Sequence, residues 1–136
     1  MTEYDPNTPV LVGVAAVQQK REDFECALEP VALMEKALRD AAADAGSEAL
    51  LERAGEIVVP KGIWSYSDPG RLLANGLGCP SATTVLGEIG VSQQTLINRA
   101  CSRIADGEIE VALVTGAEAK FRSLCAAKAG AEAVET

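Results

Sequence analysis

Between Thr84 and Glu118 the chain reads TVLGEIGVSQQTLINRACSRIADGEIEVALVTGAE. An apolar, β-branched run leads into a turn at Gly90, then a segment with helical periodicity, then a second apolar run, VALVT. Two buried strands joined by a helix fit a parallel pair, which needs a long crossover where a hairpin does not. That stretch therefore commits the chain to an α/β layer structure before any other segment is considered.

The helix between the two strands is the best specified element. Ser92 is expected as its N-cap, with Val91 and Leu96 at the positions of a hydrophobic staple. Leu96, Ile97, Ala100, Cys101 and Ile104 form an apolar stripe, while Asn98, Arg99, Arg103 and Asp106 are expected to point elsewhere. Gly107 ends it.

Upstream, Val10 to Val17 (VLVGVAAV) is expected to be a first strand, buried on both faces. QQKREDFECAL after it reads as a loop. A helix begins near Glu29-Pro30 and stops at Gly46, with Val31, Met34, Leu38, Ala41, Ala42 and Ala45 at helical spacing. SEALLERAG suggests a further helical turn. Ile57 to Val59 forms a brief strand closed by Pro60, and Asp68-Pro69 caps a short helix through Leu72, Leu73 and Leu77 that Gly78 and Pro80 end. Thr83 to Ile89 and Val111 to Thr115 are the third and fourth strands. The order β-α-β-α-β-α-β predicts a mostly parallel sheet with helices on both faces. Residues 1–8 are expected to be a flexible N-terminus, 9–118 one domain, and 119–136 an alanine-rich tail able to form a helix.

With 136 residues there is room for one core. Twenty acidic against twelve basic residues give a net charge of -8, which argues against nucleic-acid binding. No apolar run has the length of a membrane span, and MTEYDPNTP lacks the basic and apolar regions of a signal peptide, so a cytoplasmic location is expected. Cys26, Cys79, Cys101 and Cys125 are widely spaced and fit small buried thiols better than a metal site, with Cys26 the most exposed. Histidine is absent, which removes Ser-His and Cys-His devices from these residues.

On these motifs the chain resembles the N-terminal half of a thiolase-superfamily protein, closest to acetyl-CoA acetyltransferases and sterol-carrier-protein-type thiolases. The family pattern is roughly C-x-S-G, a helix, I-x-x-G, then an apolar strand ending in G-G-x-E. Here stand Gly90-Val91-Ser92-Gln93, then Ile104 to Gly107, then VALVT followed by Gly116, Ala117 and Glu118. The resemblance aligns Gly90 with the family's nucleophilic cysteine, Gln93 with a glycine, and Thr115 with the first glycine of the G-G-x-E pair.

The resemblance implies one half of a thiolase fold, from a lineage of lipid-metabolism acyltransferases. It also implies that the histidine base and second cysteine come from a C-terminal half beyond this chain. Gly90 has no atom to acylate, and Cys101 lies about 16 Å along the helix at about 1.5 Å per residue. Independent acyl transfer is not expected. No catalytic residue is assigned: Ser92, as a nucleophile, is a weak candidate beside its capping role. No cofactor or metal is expected, and coenzyme A thioester is a substrate only in a complete assembly. A lone half would leave the Leu96–Ile104 helix face and the sheet edges bare, implying a homo-oligomer, a complementing chain or a fragment of a longer protein. Two other functions stay open: a non-catalytic subunit or interaction module, and part of an aldolase-type enzyme cleaving CoA thioesters. A nucleotide-binding domain is disfavoured, since GVAAVQQ lacks G-x-G-x-x-G. Trp64 and Tyr66 are expected to anchor their loop rather than to contact a ligand.

Overall fold

A computed structural model describes residues 3–136; of the expected flexible N-terminus, residues 1 and 2 lie outside the described residues. In chain order the elements are α1 (Pro30–Ala45), α2 (Ala49–Glu52), β1 (Glu56–Pro60), α3 (Pro69–Leu77), β2 (Thr83–Gly87), α4 (Gln93–Ala105), β3 (Ala112–Val114) and α5 (Lys120–Lys128). The three strands form one parallel sheet in the order β2-β1-β3, with Ile57 opposite Thr84 on one side and Leu113 on the other.

Helix boundaries follow from local chemistry. Pro30 opens α1, where its missing N–H costs nothing, and Gly46 closes it with an N–H that donates to the carbonyls of Ala42 and Ala43. Asp68 caps α3 by accepting from Arg71 N at 2.9 Å, and its other carboxylate oxygen accepts from Thr84 Oγ1 at 3.0 Å, tying the helix start to β2. The tail does contain a helix, α5. Beyond it the chain folds back, so that Glu135 accepts from Ser65 and Thr136 donates to Glu29.

Strand alternation sorts β1 between two layers. Ile57 and Val59 face α1 and α3, where Met34, Leu38, Leu73 and Leu77 complete a dry core. Glu56 and Val58 face α4. Glu56 is fully buried, and its Oε1 accepts from Arg103 Nη1 at 2.7 Å and Arg99 Nη2 at 3.1 Å. The expectation that Arg99 and Arg103 point away from the core is thus corrected: they leave the apolar stripe of α4, but their length brings the guanidinium groups round to the sheet.

The larger correction concerns Val10 to Val17, which is not a strand. Its backbone pairs with no strand, and Val10, Leu11, Val12 and Val14 are 72%, 84%, 58% and 61% exposed. A β-branched run forms a strand only beside a partner, and β3, the edge on that side, stays out of hydrogen-bonding reach. The segment is held instead against α1. Val14 N donates to Asp44 Oδ2 at 2.9 Å, and Gly13 lies so close that a Cβ there would meet Ala41 O at 2.2 Å. Among the described residues the sheet accordingly has three strands and not four. Two boundaries also tighten: β2 ends at Gly87 rather than Ile89, and β3 is confined to Ala112–Val114.

Candidate functional site

In a parallel sheet the strand C-termini share one end, and three loops gather there: Lys61 to Tyr66 after β1, Glu88 to Ser92 after β2, and Thr115 to Glu118 after β3. Lys61 N donates to Gly87 O at 2.7 Å, which fixes the first loop to the second.

The turn that carries Gly90 closes through a Val91 N–H donated to Glu88 O at 3.1 Å. Gly90 sits third in that turn with φ +95°, the left-handed geometry a type II turn demands there. A side chain at this position would meet no atom within 4 Å but would strain the backbone. Ser92 is the N-cap, as expected: its Oγ accepts from Gln94 N at 3.2 Å. Leu96 is buried and packs on Gly87, leaving Val91 two-fifths exposed.

The other two loops are knitted by the carboxylate of Glu118. Glu118 Oε1 accepts from Ile63 N at 2.7 Å, Trp64 Nε1 donates to Ala117 O at 3.1 Å, and Lys61 Nζ donates to Trp64 O at 2.6 Å. The Lys61 ammonium also lies 4.2 Å from the Trp64 ring centre, a cation–π contact. Trp64 and Tyr66 are both buried, 5.3 Å apart, so the aromatic residues do anchor their loop. The one signal that pointed to Glu118 was its place in Gly116-Ala117-Glu118.

Tyr66 continues the network inward, donating to Glu29 Oε2 at 2.6 Å. Burial, and then the bond to Glu29, push its phenol well above its ordinary value. Burial would raise Glu29, but the donors Thr136 and Tyr66 outweigh it and hold the carboxyl low.

The thiols are not uniformly buried. Cys79 is buried, which raises it, while Cys101 and Cys125 are half-buried. Cys26 is exposed, as expected, and the hydrogen bond to Asp23 followed by that carboxylate's charge pushes it up, toward the unreactive thiol. None sits in the Gly90 turn. Among the described residues no cluster of three or more His, Cys, Asp or Glu side chains is placed to hold a metal ion, and no helix is long and apolar enough to cross a membrane.

Chemically, the turn offers a helix N-terminus whose first amides are partly occupied by Ser92. Beside β3 a cleft of about 880 Å³ opens between the Pro9–Gln19 segment and the sheet edge, lined by α1 on one side and by Ile97, Cys101 and Ile104 of α4 on the other.

No protein-family model matches the sequence, and no curated protein does. Solved structures do match. A monomeric SCP2-thiolase like protein of Mycobacterium smegmatis superposes with a TM-score of 0.70 at 28% identity, over 82% of this chain and 24% of that one. A variant of Xanthomonas campestris OleA with bound lauric acid and lauroyl-CoA gives a TM-score of 0.57 at 19% identity, over 66% of this chain and 27% of that one. Another OleA variant, bound with cerulenin, gives 0.59 at 18% over 79% and 33%. The chain spans about a quarter to a third of these structures. With its parallel sheet, its helices on both faces and these likenesses, the chain is a thiolase-like half-domain of the thiolase superfamily.

Proposed function

We propose that these 136 residues are a non-catalytic thiolase-like half-domain, one that performs no acyl transfer by itself and works by completing a larger assembly. The observation that carries this reading is the turn from Glu88 to Ser92. Thiolase chemistry needs a thiolate that accepts an acyl group from coenzyme A and a base that activates it. At the aligned position stands Gly90, in a backbone geometry that disfavours a side chain. Ser92 has its oxygen engaged in capping, and no histidine exists in the sequence to take its proton. The half-exposed stripe of α4 and the cleft beside β3 support the partnership half of the proposal. Coenzyme A thioesters would then engage only the complete assembly, in the cytoplasm.

The test is direct. The purified chain, incubated with acetoacetyl-CoA and coenzyme A, is expected to give no thiolysis and no acetyl adduct by intact-protein mass spectrometry. Turnover, or an adduct on any residue, would overturn the proposal. Gly90→Cys is expected to gain a thiol that reacts with iodoacetamide while thiolysis stays absent, because the base is still missing.

A further inference from the structure

After α5 the chain turns back along the molecule. Gly130, at φ +71°, closes the helix: its N–H donates to Ala127 O, and that of Ala131 donates to Ala126 O. Through residues 131–136 the backbone belongs to no helix and no strand. Val134 is 75% exposed and Ala133 only half-buried, so little apolar surface holds this stretch down. Polar contacts hold it instead, and most of them end on two carboxylates. Glu135 Oε2 accepts from Ser65 N at 2.9 Å and from Ser65 Oγ at 2.8 Å. Glu29 accepts from Thr136 N at 2.7 Å, from Thr136 Oγ1, and from the Tyr66 hydroxyl at 2.6 Å. Arg122 adds one bond, from Nη2 to Val134 O at 3.0 Å.

We propose that residues 131–136 form an acid-released strap, shut while the carboxylates of Glu29 and Glu135 are ionised and opened when they take up protons. Ordering an extended stretch costs backbone entropy at every residue. With little apolar burial to offset that cost, closure depends on hydrogen bonds strengthened by charge. Protonation removes the charge from both acceptors and leaves the Arg122 bond to hold the strap. Among the described residues, the charged and titratable groups that face the two carboxylates are Tyr66, from the loop after β1, and Arg122, from α5. Neither changes charge in acid, since the phenol is already protonated there and the guanidinium never loses its proton. Burial would raise Glu29, but the donors on Thr136 and Tyr66 and the charge of Arg122 hold it low. The strap therefore stays shut through neutral pH and loses its hold as pH falls through the folded value of Glu29. Opening is local, because Tyr66 stays packed beside Trp64 in the buried core. It bares the amide and hydroxyl of Ser65, and it frees Nη2 of Arg122, a residue that lines the cleft. The strap is independent of the function proposed above.

Backbone ¹⁵N relaxation on the full chain, followed from about pH 7 to about pH 3 alongside the side-chain carboxyl resonance of Glu29, tests the strap. Order parameters for residues 132–136 are expected to be about 0.85 at neutral pH and to fall below about 0.6 in step with the Glu29 titration. Ile57 and Leu73 are expected to keep theirs over the same range. A strap that stays ordered until Ile57 and Leu73 also loosen would overturn the proposal in favour of a fixed part of the fold. Order parameters already below about 0.6 at neutral pH would overturn it in favour of no strap at all. Glu29→Gln is expected to lower the strap's order at neutral pH and to shrink the acid step. Glu135→Gln touches only the exposed Ser65 and leaves Tyr66 its partner, so it spares the core. It is expected to move release upward by about half a pH unit to one unit, because a weaker strap lets Glu29 take its proton earlier. An unchanged release midpoint in Glu135→Gln would show that Ser65 and Glu135 do not hold the strap, and would sink the proposal even if Glu29→Gln fails to fold.

Discussion

The two faces of the sheet are built differently. Under α1 and α3 the core is apolar, and Ile57, Val59 and Leu73 are sealed from solvent. Under α4 the sheet is held by a buried carboxylate and two arginines, and Ile97 remains 41% exposed. The first face folds and needs nothing more. The second is clamped at one point and left partly open.

Breaking the clamp gives the largest effect. Arg103 bonds Glu56 and also Glu108, the latter at 2.7 Å, and both carboxylates hold its guanidinium charged. Among the described residues Glu56 Oε2 is already without a partner, so the carboxylate depends on its Oε1 bonds. Arg103→Met is expected to destabilise toward the lower end of about 3–5 kcal/mol, since it leaves the buried carboxylate with Arg99 as its remaining partner among the described residues. Glu56→Gln is expected to cost less, about 1–3 kcal/mol, because the arginines it frees reach solvent. Urea unfolding measures both, and equal costs would mean that the charge is not the clamp. On the dry face, Leu73→Ala is expected to cost about 2–5 kcal/mol, set by how far the cavity collapses.

Next come the two capped helices, one on each face. Asp68 serves both Arg71 N and Thr84 Oγ1, whereas Ser92 makes one exposed bond. Asp68→Ala is expected to cost about 1–2 kcal/mol and Ser92→Ala about 0.5–1 kcal/mol. The reverse order would show that α4 depends on its cap more than on Glu56.

These caps were legible in the sequence because capping is local: Pro30, Gly46, Asp68 and Ser92 act within a turn of their own position. The turn at Gly90 was legible for the same reason. The Glu56 clamp was not, since a glutamate ahead of IVV looks like a solvated strand end and only the fold brings α4 over it. Val10 to Val17 was misread because its composition reports a preference for burial between strands, while a strand also needs a neighbour at hydrogen-bonding distance. The role of Glu118 depended on Ile63, distant in sequence, and was invisible for that reason.

The smallest effect tests how the tail joins the dry face. Tyr66 and Glu29 form a hydrogen-bonded pair beside Thr136, and their shifts have opposite signs. The Glu29 carboxyl is held below its ordinary 4.5, so the stability it adds is present above that pH and is lost as pH falls through the folded value. The Tyr66 phenol is raised above its ordinary 10.0, so its contribution is present below pH 10 and is lost as pH rises toward the folded value. Stability should therefore hold level between about pH 5 and 9 and decline on both sides. Tyr66→Phe is expected to shrink the alkaline decline to the part that the raised thiol of buried Cys79 supplies, and to shrink the acid one only partly, because Thr136 still donates to Glu29. A Tyr66→Phe chain that keeps the full alkaline decline in urea midpoints between pH 9 and 11 would mean that another group titrates there, and that the tail is joined by Thr136 alone.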